Sequence, residues 1–157
     1  MNIHSNEELL AVIGEAFLWD IVGAYVENDL QHIKEALIDG CGWIALETIE
    51  RITALEVHQS DEFIVTGFRA ENGVLTVSYE MPAIIMAWNR ESKEALLRIT
   101  TFCTGTVEIP DADAYDWNAL DFENMRKQEL LSHSNLVKNI NVTYEDTEAD
   151  DLTALGW

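Results

Sequence analysis

Positive charge is scarce in this chain. Nine Lys and Arg stand against 29 Asp and Glu, a formal net charge of −20 over 157 residues. A magnitude of about 2–8 is enough to keep a small domain soluble, so the excess calls for another reason. A field of that sign repels nucleic acid and anionic lipid and attracts basic proteins, so neither direct phosphate binding nor membrane association is expected. Cysteine is scarce too. Cys41 and Cys103 are too few for a disulfide scaffold and read as reduced thiols. Proline occurs twice, and no Pro-, Gly- or Ser-rich tract separates one part of the chain from another, which predicts a single domain over residues 1–157. Long uninterrupted apolar runs are absent. The stretch from Leu9 to Val26 contains Glu15 and Asp20 and follows Glu7 and Glu8, which suits neither a membrane span nor a signal peptide. The cytoplasm is the expected compartment.

Apolar residues, by contrast, make up 48% of the chain, enough for a real core. A chain of this length buries roughly 70% of the surface its unfolded form exposes. The stretch from Glu62 to Ile109 reads as antiparallel strands. Phe63 to Arg69 and Val74 to Met81 flank Asn72-Gly73, a dipeptide that supplies the two positive-φ residues of a tight hairpin. Leu75, Val77, Tyr79 and Met81 alternate with Thr76, Ser78 and Glu80. Pro82 is expected to break this pairing, and Ala83 to Trp88 is apolar without alternation. In the following strand Ala95, Leu97, Ile99, Cys103, Val107 and Ile109 share one parity, Gly105 marks a bulge, and Pro110 ends it.

Helices flank this sheet. Ser5 and Glu8 form a capping-box pattern, and one helix is expected from there to about Glu27. Its apolar residues cover more than half its circumference, so it is either the most buried helix or one that shares a face with a partner. Asn28 or Asp29 caps a second helix in which Leu30, Ile33 and Leu37 share a face and Gly40 fits the left-handed terminal residue. The short connection implies a helical hairpin. Residues 43–58 combine a short helix or turn with a strand from about Arg51. A helix from Asn118 or Asp121 to about Leu131 and a strand from Leu136 to Tyr144 complete the chain. The fold class is therefore α+β: an antiparallel meander of five to six strands packed against the N-terminal helical hairpin and one later helix. Residues 145–157 form an acidic tail, part of which docks through Leu152, Leu155 and Trp157.

No catalytic or cofactor motif is complete. Asp111, Asp113 and Asp116 begin a calcium-loop pattern, but its glycine and its final glutamate are replaced by Asp116 and Phe122. His4, His32, His58 and His133 lack zinc-ligand spacing, so no metal and no cofactor is expected. Cys41 lies between two glycines, but a nucleophilic thiol needs a positive neighbourhood that this chain does not offer. Ser132-His133-Ser134 is a polar helix end. Pairs such as Glu47 and Glu50 arise by chance among so many acids.

The acids are unevenly spread. Residues 1–33, 99–125 and 139–157 carry them unopposed, and every base lies between Lys34 and Lys138. Asp111, Asp113, Asp116, Asp121 and Glu123 surround Tyr115 and Trp117, and Glu145, Asp146, Glu148, Asp150 and Asp151 follow near the end. Rings amid carboxylates suit a protein interface in which the rings anchor and the charges steer. These residues are the expected partner-binding site, and no catalytic residue is assigned. The expected role is inhibition of a basic protein, such as a nuclease toxin or a nucleic-acid-handling complex, with carboxylates in the place of phosphates. Toxin-immunity proteins and phage-encoded inhibitors of host defence share this general character. The alternative is a small-ligand binder or enzyme with a pocket between helices and sheet.

Overall fold

A computed structural model describes residues 3–110 and 139–153. Helix α1 (Asn6–Ile13) begins at the expected cap, with Ser5 Oγ accepting the Glu8 N–H at 3.1 Å. It does not run on to Glu27. Gly14 has φ 95°, a conformation glycine adopts without a Cβ penalty, and α2 (Glu15–Glu27) leaves at 81° to α1. The bend turns Leu9 and Ile13 of α1 and Phe17, Leu18, Ile21 and Val22 of α2 inward, which one straight stripe could not do as fully. No single described helix is long and apolar enough to cross a membrane. Helices α3 (Leu30–Gly40) and α4 (Leu46–Glu50) follow and pack on each other. Gly40 does not take the left-handed conformation expected of it. It matters for closeness instead, since a Cβ there would sit 3.3 Å from the Thr147 carbonyl oxygen.

Among the described residues five strands form one antiparallel sheet: β1 (Ala54–Gln59), β2 (Ile64–Glu71), β3 (Val74–Asn89), β4 (Glu94–Pro110) and β5 (Asn139–Asp151). The order is β1-β3-β4-β5, with β2 also paired to β3. The fold class is α+β, as the apolar periodicities imply. The β2–β3 hairpin turns on Asn72 (φ 54°) and Gly73 (φ 78°).

Pro82 does not interrupt β3. Antiparallel pairing with β2 reaches Glu80, and pairing with β1 begins at Ala83. The Pro82 carbonyl accepts the Ser60 N–H, so its missing N–H faces the point where one neighbouring strand gives way to the other. The apolar run Ala83–Trp88 alternates after all, with Ala83, Ile85 and Ala87 buried and Ile84, Met86 and Trp88 only partly so.

Contacts divide the chain into two units. One comprises Met1–Tyr25, Phe63–Met81 and Thr104–Thr143; the other comprises Val26–Glu62, Pro82–Cys103 and Tyr144–Trp157. In the first, α1 packs on β2, and Phe63 stacks on Tyr79 with ring centroids 5.3 Å apart. Glu15 Oε1 accepts the Phe63 N–H at 2.9 Å, which stitches the start of α2 to the sheet. Tyr79 donates its hydroxyl hydrogen to the Asn141 carbonyl at 2.8 Å. In the second unit the core holds Ile33, Leu37, Ile49, Ile52, Val57, Ile85, Leu97 and Ile99. Burying each such side chain contributes about 1.5–3 kcal/mol.

Gly105 has a steric cause. A Cβ at that position would overlap the Asn141 carbonyl oxygen of β5. Gly105→Ala is therefore expected to lower stability by about 3 kcal/mol or more, since either strand must move. A shift of the urea midpoint at unchanged slope measures the loss.

Candidate functional site

Strand β5 carries the most organised group of sequence-expected site residues. It continues to Asp151, past the Tyr144 end expected for it, so residues 145–151 are strand and not tail. Its inward and outward positions alternate up to Glu145, but Glu145 and Asp146 are both exposed and the parity then reverses. Asp146 has φ 50°, a left-handed conformation that aspartate tolerates better than most residues. An extra residue with this backbone is a β-bulge, which bends a strand and re-aims its side chains.

The bulge is fixed from the sheet side. Thr101 on β4 is 5% exposed, the one buried polar side chain among the described residues. Its hydroxyl donates to the Glu145 carbonyl at 3.1 Å and lies 3.0 Å from Thr147 Oγ1. Cys41, just after α3, donates its thiol hydrogen to the Thr147 carbonyl at 3.3 Å. Tyr144 donates its hydroxyl hydrogen to Asp29 Oδ2 at 2.8 Å, at the start of α3. The residues on either side of the bulge are thus tied to both α3 and β4, and Glu145, Asp146, Glu148 and Asp150 are left facing solvent. Asp151 differs, because its carboxylate accepts the Thr153 N–H at 2.9 Å and caps the turn that follows.

A groove of about 470 Å³ opens beside this strand, lined by residues that include Cys41, Trp43, Arg98, Glu148 and Asp150. Trp43 is 61% exposed, and Ile38 and Leu46 on the same short stretch of chain are also exposed. Arg98 reaches Asp150 at 3.7 Å, a surface pair worth at most about 1 kcal/mol. The groove therefore offers an apolar ring, two carboxylates and one weakly held cation. Charges on an edge strand also discourage pairing with other chains, and β5 lies at the end of the described strand order. That role explains carboxylates on the strand but not an exposed tryptophan beside them.

Neither thiol has the lowered pKa of an activated nucleophile. Burial pushes Cys103 up to about 12, with the Asp29 carboxylate adding to the effect. Burial, together with the charge of Glu148, raises Cys41 as well. Among the described residues no group of His, Cys, Asp and Glu is arranged to hold a metal ion.

Asp111, Asp113, Tyr115, Asp116, Trp117, Asp121 and Glu123, and the helix expected between 118 and 131, lie outside the described residues. Sequence reasoning missed Trp43 as part of the site. Its signal was available in the three large apolar residues Ile38, Trp43 and Leu46 around a Gly-Cys-Gly turn that needs none of them. No family model matches the chain, and no curated protein and no solved structure matches it either.

Two outcomes test this geometry. Thr101→Val keeps the shape but leaves the Glu145 carbonyl and the Thr147 hydroxyl without their partner, at an expected cost of about 1–3 kcal/mol in urea denaturation. The second concerns pH. His32 Nδ1 lies 2.6 Å from Asp29 Oδ1, and this hydrogen bond, reinforced by the charge of Asp29, raises the His32 pKa above 6.5. A raised histidine contributes stability that is complete below its unfolded value and is lost as pH rises through the folded one. Stability should accordingly fall slightly as pH climbs from about 6 to 8, and His32→Gln should flatten that part of the profile.

Proposed function

We propose that the protein binds a basic protein partner and neutralises it, with the bulged acidic strand β5 and the Trp43 groove as its docking surface. The observation that carries this reading is the row of exposed carboxylates on a strand held by the Thr101, Cys41 and Tyr144 bonds, next to an exposed ring. Asp146, Glu148 and Asp150 occupy alternate positions, about 6.7 Å apart along an extended strand. That is roughly twice the 3.4 Å axial spacing of phosphates on one DNA strand. A basic cleft that follows a nucleic-acid backbone would meet charge at a familiar interval, which favours a nuclease or another nucleic-acid-handling protein as the target. Trp43 would supply the apolar anchor, or a face for a lysine or arginine of the partner. The net charge of −20 would speed the encounter and make it salt-sensitive. Two buried free cysteines support a reducing, cytoplasmic setting. The acidic segment 111–123 belongs to the same proposal on sequence grounds alone. We read the chain as a binder and not as an enzyme.

The test compares the wild-type protein, immobilised, with a variant carrying Glu145→Gln, Asp146→Asn, Glu148→Gln and Asp150→Asn. Basic proteins from the native host should be retained by the wild type at low salt and released by added salt. The variant should hold them at least about tenfold more weakly, because several steering and contact charges are lost together. Trp43→Ala should speed dissociation with little change in association rate. Equal retention by the charge variant, at unchanged circular dichroism, overturns the reading.

A further inference from the structure

The groove beside β5 keeps a charge that the fold does not answer. Two carboxylates and one base line it: Glu148, Asp150 and Arg98. Arg98 reaches Asp150 at 3.7 Å, longer than a charge-assisted hydrogen bond of about 2.7–2.9 Å, so the two attract without bonding. Among the described residues Glu148 pairs with no base. Its charge is felt by the buried Cys41 thiol, which lines the same groove. The lining is therefore one negative charge in excess.

The exposed ring of Trp43 belongs to the same groove. Covering it would remove a large apolar area from water. A neutral apolar occupant would cover the ring, but it would also strip water from Glu148 and Asp150 without replacing the hydrogen bonds. An anion would meet the excess charge. A metal ion would need more ligands, and among the described residues no group of His, Cys, Asp and Glu can hold one. A cation with a flat, weakly hydrated face meets both demands, because a guanidinium stacks on an indole and still donates in its own plane to carboxylates. The groove already admits that group, since Arg98 lines it. An ammonium is a compact, strongly hydrated point charge. It does not both cover the ring and reach two carboxylates whose residues stand about 6.7 Å apart along the strand.

We infer that the groove seats one arginine side chain of the basic partner, its guanidinium plane on the Trp43 ring and its N–H groups toward Glu148 and Asp150. The inference rests on the docking role proposed above and narrows it to a single side chain. Arg98 is then the resident competitor. Its charge opposes the incoming one, and its unbonded hold on Asp150 is weak enough to give way.

The experiment titrates N-acetyl-arginine amide into the full chain at physiological ionic strength and follows the indole N–H signals by NMR, that of Trp43 being assigned from Trp43→Phe. A saturable shift of the Trp43 signal is expected, with a dissociation constant on the order of ten millimolar. N-acetyl-lysine amide should bind at least about threefold more weakly, and N-acetyl-citrulline amide, which keeps the shape without the charge, at least about tenfold. Glu148→Gln with Asp150→Asn should weaken the arginine probe about tenfold, whereas Arg98→Gln should tighten it about threefold by removing a like charge. The comparison of the three probes on the wild type stands even if a variant does not fold. No saturable shift, equal binding of the lysine or citrulline probe, or arginine affinity unchanged in either folded variant overturns the inference. Retention of basic proteins by the immobilised wild type without a selective probe response overturns the inference alone. A selective response without such retention supports the guanidinium seat and overturns the docking role.

Discussion

The hydroxyl of Thr101 holds the arrangement on which the proposed docking surface depends. A buried polar group is costly unless bonded, and this one is bonded only while β5 keeps its bulge at Glu145 and Asp146. The same contact therefore stabilises the core and sets the outward direction of the acids beyond it. Cys41 and Tyr144 add bonds from either side of α3, so three elements must agree before Glu148 and Asp150 face the groove. Carboxylates held in this way are pre-organised. Less side-chain and backbone freedom remains to be lost when a cation meets them than on a loose tail.

Charge is segregated at two scales. Across the chain the acids dominate, but the few bases are not evenly diluted among them. Arg98 answers Asp150 across the strand pair, and Arg51 answers Glu94. Arg90 and Lys93 line a hollow that Glu27 and Glu56 line as well, so the charges there balance.

Much of the architecture was legible in the sequence because it rests on local rules. The period-two pattern from Leu75 to Met81 and from Leu97 to Ile109 gave the buried faces of β3 and β4, and Asn72-Gly73 gave the hairpin. The misses were tertiary. Nothing in the apolar stretch from Leu9 to Val26 requires a bend at Gly14, which glycine permits and packing selects. Pro82 looks like a breaker until two different strands are seen to pair on either side of it. The stretch after Tyr144 looked like a tail because its acids mask an alternation that the bulge at Asp146 shifts by one residue. Of the proposed docking surface, composition pointed to the acids of β5, but the groove also holds Trp43, just over a hundred residues away in sequence, which the bond from Cys41 to Thr147 brings near.

The position of β5 in the strand order matters for how the chain is made. Its partner β4 is 17 residues long and is complete many residues before β5 leaves the ribosome. Until then β4 presents an open ladder of unpaired backbone groups, with Thr100, Phe102, Thr104 and Thr106 along one side, the composition that invites strand addition from another chain. The late arrival of an acid-rich strand ends that exposure by replacing an adhesive margin with one that repels its own kind. A chain in which β5 has not yet joined β4 is therefore vulnerable to self-association, and the carboxylates of β5 discourage pairing between copies in which it has.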